Sequence, residues 1–157
     1  MLRLIVLLCS MGLGCAQDAT DDPQVAFWRM LHRELAGSRG DVYFDNMRGA
    51  HLPGIISDGA LRYTQFKGFL ISQEPAENPQ KLLIGVRSAR EPEITLRLSQ
   101  PLQGRAAPGT ILEFEGVAVE FTREPFNLVL NTTRHEITGW PKLEDQPKKS
   151  DGKKKKR

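Results

Sequence analysis

Apolar and polar positions change period partway along this chain. In "QVAFWRMLHRELAG", apolar residues recur at Val25, Trp28, Leu31 and Leu35, with Phe27 and Met30 widening the stripe. Steps of three and four put these side chains on one face, so the spacing predicts a helix over residues 23–36. Asp21 and Asp22 supply a cap, Pro23 suits the first turn and Gly37 marks the stop. Residues 38–59, "SRGDVYFDNMRGAHLPGIISDG", hold neither period and predict an irregular connection with room for a short strand or a turn of helix.

Beyond that connection the period drops to two. "ALRYTQFKGFLIS" is rich in aromatic and β-branched residues, "KLLIGV" alternates at Leu82, Ile84 and Val86, and "EITLRLS" alternates at Ile94, Leu96 and Leu98. "GTILEFEGVAVEF" and "FNLVLN" complete five strand candidates. Proline-bearing segments separate the first four, and Pro108 with Gly109 predicts a type II turn. Connections this short leave no space for helical crossovers. They predict a mainly β fold: a small five-stranded antiparallel barrel with an N-terminal α-helix, or alternatively a small β-sandwich.

The run "FKGFLIS", "KLLIGV", "ITLRLS", "PGTILEFEGVAVEF" and "FNLVL" resembles exported bacterial OB-fold domains and tRNA-anticodon-type OB domains. The resemblance covers residues 61–139 and rests on pattern, with Gly68 interrupting the first strand and Gly109 and Gly116 bracketing the fourth. It implies an OB-like barrel. Residues 99–109 are too short and proline-rich for the helix often found there, and the helix over 23–36 is the candidate to plug the barrel instead.

Three glutamates interrupt the fourth strand, and paired carboxylates are a common acid-base device. Strict alternation would put Glu113 and Glu115 on a face with Val117 and Val119, and Glu120 on the other. A bulge at Gly116 would instead turn Leu112, Phe114, Val117, Val119 and Phe121 inward and leave all three glutamates wet. Since an unpaired buried carboxylate is costly, the bulge is the expected arrangement, with no catalytic role for the glutamates. His32, His51 and His135 are scattered without HExxH spacing and read as surface or helix-end residues. The acidic stretches lack the spaced ligands and glycine turn of a calcium loop. No nucleophile elbow, phosphate loop or dinucleotide fingerprint is present, so catalytic, cofactor and metal residues are all expected to be absent. Residues 131–133, "NTT", match a glycosylation sequon that matters only in a eukaryotic secretory pathway.

Charge and the N-terminal residues add a location. Arg3, the apolar run from Leu4 and the small residues Gly14 and Ala16 follow a signal-peptide pattern, with cleavage expected between Ala16 and Gln17. Cys9 and Cys15 both precede that cut, which would leave the mature chain without thiols. If Cys15 were instead a lipidated first residue, the chain would be anchored to a membrane; "GLGC" fits that pattern at Gly14 but not at Gly12 or Leu13. The formal charge of +3 is unevenly spread. Eight basic and three acidic residues from Lys142 to Arg157 place +5 there, Arg3 adds one more, and the intervening body is left at −3.

The predicted organisation is thus a signal peptide (1–16), a helix with its connection (17–60), an OB-like barrel (61–141) and a disordered lysine-rich tail (142–157). Tail residues Lys148, Lys149, Lys153, Lys154, Lys155, Lys156 and Arg157 are candidates for binding an anion. The expectation is an exported, periplasmic or extracellular, non-enzymatic binding or interaction module of the cell envelope, with no cofactor and an unspecified ligand. An envelope protein or an anionic polymer met by the tail is the expected partner class. An acidic body argues against nucleic acid as a partner of the domain itself. The alternatives are a small exported hydrolase or metal-dependent enzyme, and a binder of anionic polymers or membrane surfaces through the tail.

Overall fold

A computed structural model of the chain describes residues 23–53 and 65–142. Two helices, α1 (Pro23–Ala36) and α2 (Gly40–Met47), come first. Eight strands follow: β1 (His51–Leu52), β2 (Phe66–Glu74), β3 (Lys81–Gly85), β4 (Ile94–Leu98), β5 (Ile111–Phe114), β6 (Gly116–Arg123), β7 (Phe126–Thr132) and β8 (Ile137–Thr138). A 3-10 turn, Arg134–Glu136, joins the last two. The fold is therefore mainly β. Helix α1 has the bounds that its periodicity predicts. Helix α2 lies where no period could be read, because a span of eight residues that buries only Gly40 and Phe44 leaves too short an apolar stripe.

All eight strands belong to one sheet, ordered β1-β6-β7-β4-β3-β2-β5-β8. Strands β4 and β7 run parallel, and the other neighbours antiparallel. Among the described residues a single sheet replaces the sandwich alternative, and eight strands replace the expected five. The difference has two physical sources. Residues 111–123 break at Glu115, whose N–H donates to Glu136 O at 3.1 Å, so one expected strand becomes β5 and β6. Strands β1 and β8 have two residues each, too few for any alternation to show. Strand β5 pairs with β2 while β6 pairs with β7, so adjacent stretches of chain serve opposite parts of the strand order and the sheet curls into a half-barrel.

The concave side is filled by one core. Leu70, Leu82, Ile84, Ile94, Leu96, Leu112, Phe114, Leu128 and Leu130 are essentially inaccessible, as the period-two pattern requires. Helix α1 contributes Trp28, Leu31 and Leu35 to the same core. The Trp28 ring meets Phe66 edge-on at 5.7 Å and Phe126 at 6.0 Å, favourable aromatic geometry that adds to the burial of both faces. Gln24 fixes the start of the helix by donating its Nε2–H to Lys67 O at 2.8 Å. Helix α2 lays Phe44 on Phe121, with ring centroids 4.8 Å apart.

The run 111–123 corrects the expected bulge. Leu112, Phe114, Gly116 and Ala118 are buried in uninterrupted alternation, while Val117 and Val119 are only half-buried. The register shift falls between Ala118 and Glu120, past Gly116. Close packing at Gly116 explains its identity: a Cβ there would lie 2.7 Å from Asn131 O and 3.2 Å from Leu130 Cβ. Small residues at 116 and 118 let this strand approach β7; the bulge then restores Phe121 to apolar company. The turn expected at Pro108–Gly109 is present, with Gly109 at φ +86° and Thr110 N–H donating to Ala107 O at 3.1 Å.

Candidate functional site

The break at Glu115 brings three chemically capable side chains together. Strand β1 pairs His51 with Val117, setting the imidazole beside the break. The pairing extends through Ala118 N–H, which donates to Ala50 O at 3.0 Å, and Gly49 N–H, which donates to Ala118 O at 2.8 Å. From the other side comes the 3-10 turn. Its Glu136 accepts Thr133 N–H on Oε2 at 2.6 Å, so the carboxylate is tied back to the start of its own turn. The Thr132 hydroxyl donates to Glu115 O at 2.7 Å, which joins the end of β7 to the break.

Glu136 Oε1 then faces His51 Nε2 at 2.9 Å, and His51 Nδ1 lies 3.8 Å from Glu115 Oε2. An ionised carboxylate only accepts, so Nε2–H is the donor in the closer pair. One imidazole nitrogen and one oxygen from each carboxylate all lie within 4.8 Å of one another. Burial raises the Glu136 pKa, but bonds from His51, Thr133 and Thr132 outweigh it and hold the carboxyl below its ordinary value.

A third carboxylate, Glu93, is buried between helix and sheet. Its Oε1 accepts Trp28 Nε1–H at 3.1 Å and Arg87 Nε–H; its Oε2 accepts Val86 N–H at 3.0 Å and Arg87 N–H at 2.8 Å. Desolvation opposes its charge, yet these donors outweigh that penalty and lower its pKa. His32 sits nearby with its ring 4.0 Å from that of Phe126. Its pKa is lowered by burial and by Arg87, against a smaller opposing pull from Glu93.

Concave surface among the described residues includes two grooves. One, of about 520 Å³, is lined by Leu102, Gln103, Arg134, Ile137, Trp140 and Lys142 among others. Trp140 is fixed there by Nε1–H donating to Gln103 O at 2.9 Å. Arg134 and Lys142 have no carboxylate partner among the described residues. The other, of about 340 Å³, lies along Leu70–Gln73 and is closed by Ala106 and Pro108. The His51 cluster lines neither groove.

Glu113 and Glu120 are exposed, the latter paired with Arg97 at 2.8 Å, while Glu115 is half-buried. His135 is exposed and apart from the cluster. Ala16, Gln17, Cys15 and the basic residues 148–157 lie outside the described residues, as does Tyr63. Among the described residues, no helix is long and apolar enough to cross a membrane. Sequence reasoning missed both His51 with Glu136 and the Glu93 centre, since their partners are distant in the chain or are backbone N–H groups. "TRHE" was the available signal: a threonine followed three residues later by glutamate is a capping pattern, which marks Glu136 as a fixed carboxylate. No family model matches the chain, and no curated protein or solved structure matches it either.

Proposed function

We propose that this protein is an exported, non-enzymatic binding module of the cell envelope, built on an OB-like barrel, whose ligand is anionic. The carrying observation is the Trp140 groove, where an aromatic ring lies with Arg134 and Lys142, two cations without described carboxylate partners. An aromatic ring beside two cations suits a flexible polyanion, which a body of otherwise negative charge would repel elsewhere. The basic residues from Lys148 to Arg157 follow Lys142 closely in sequence and would add long-range attraction to the same ligand.

The barrel reading is supported by the strand order. Strands β2, β3, β4 and β7 are consecutive neighbours, β4 and β7 are parallel, and the run 111–123 borders both β2 and β7. With that run counted once and the two-residue strands β1 and β8 set aside, five strands remain in the curled sheet, which supports an OB-like reading. Export is supported by the leader pattern of residues 1–16. A hydrolase is the weaker reading. The 3.8 Å between His51 Nδ1 and Glu115 Oε2 exceeds hydrogen-bond reach.

Retention on immobilised polyphosphate at low salt tests the binding claim. Trp140→Ala and Arg134→Ala are expected to elute at lower salt than the parent, and deletion of residues 147–157 lower still. Parent-like elution of all three variants would reject an anionic ligand.

A further inference from the structure

We propose that His51, Glu115 and Glu136 form a zinc-class divalent cation site that clamps β1 and the 3-10 turn to the break between β5 and β6. The three donors come from three separate segments, and no short sequence motif joins them. A tetrahedral zinc ion with nitrogen and oxygen ligands at about 2.0–2.2 Å sets its donor atoms about 3.3 Å apart. Here His51 Nε2 lies 2.9 Å from Glu136 Oε1, while the 3.8 Å approach of Glu115 Oε2 is to the other ring nitrogen, Nδ1; a single ion takes one of the two nitrogens, and one donor atom from each residue lies within 4.8 Å of the other two. With Nε2 as the ligand nitrogen, a rotation of the half-buried Glu115 side chain is what would draw its carboxylate from within 4.8 Å to ligand spacing.

Charge points the same way. Two carboxylates converge, and neither has a Lys or Arg partner among the described residues. The cluster thus carries negative charge even with the imidazole protonated, and a divalent ion would neutralise it. Glu136 is held for the task on its far oxygen by Thr133 N–H, the outer-shell support that metal-bound carboxylates require. Mixed imidazole and carboxylate donors favour zinc over calcium or magnesium, which take oxygen alone. Three protein ligands leave one position for water or for a donor from a partner.

Titration of the full, untagged chain with Co²⁺ as a spectroscopic stand-in tests the site. The parent should bind one equivalent with a visible d–d band that Zn²⁺ displaces. His51→Ala should abolish the band, and His135→Ala should leave it intact. Because Glu136 also holds its own turn, Glu115→Gln is the informative carboxylate change; it should keep the parent's circular dichroism and weaken binding at least about tenfold. Absence of the band in the parent would overturn the proposal, as would parent-like affinity in His51→Ala or Glu115→Gln. A sulfur charge-transfer band that survives His51→Ala would assign the ion to Cys9 and Cys15 and overturn it equally.

Discussion

A buried carboxylate at position 93 holds helix α1 to the sheet through Trp28 and fixes the β3–β4 connection through two backbone N–H groups. Removing it orphans several donors at once, so Glu93→Ala should destabilise the protein by about 2–3 kcal/mol in urea unfolding. The pH dependence follows from its lowered pKa. The unfolded chain binds the proton more readily, so this stabilisation is complete above the ordinary carboxyl value near 4.5 and is lost as pH falls through the lower folded value. Acid unfolding of Glu93→Gln should therefore be shallower than that of the parent. His32 gives a second readout: its imidazole should titrate below the ordinary 6.5 by NMR, because burial and Arg87 both disfavour the cation. None of this was legible in "RSAREPE", which reads as a polar loop. Trp28 stands 65 residues from Glu93, and main-chain donors leave no mark on a sequence.

At the scale of elements, the run 111–123 determines how the sheet curls. Its period was legible, and so was the exposure of Glu113 and Glu120. The phase after Gly116 was not, because glycine fits both a bulge and a close approach of two strands. The atoms around it decide for close approach, since Asn131 O occupies the space a side chain would need. Gly116→Ala should thus cost about 1–3 kcal/mol through overpacking against β7. Phe114, fully buried beside Phe66, should cost about 3–5 kcal/mol on truncation to alanine, whereas the exposed Glu113 should change stability by no more than about 0.5 kcal/mol. Thermal or urea denaturation of the three variants checks the ranking. Equal effects of Phe114→Ala and Glu113→Ala would contradict the phase of this strand.

For the whole molecule, the β class and helix α1 could be read from periodicity, because both rest on repeated apolar spacing. Strand order could not, since the parallel contact of β4 with β7 joins segments more than 25 residues apart and pairing leaves no periodic trace. The His51 cluster was hidden for the same reason: its members are adjacent only after β1 and the 3-10 turn reach the break at Glu115. Charge, by contrast, was fully legible, and the separation of an acidic body from a basic end underlies the proposed binding of polyanions. The envelope location is itself a proposal, resting on the leader pattern of residues 1–16. The most direct measurement is N-terminal sequencing of the native protein after cell fractionation. The account predicts a chain beginning at Gln17 in the envelope or extracellular fraction; an intact chain beginning at Met1 in the cytoplasm would contradict it.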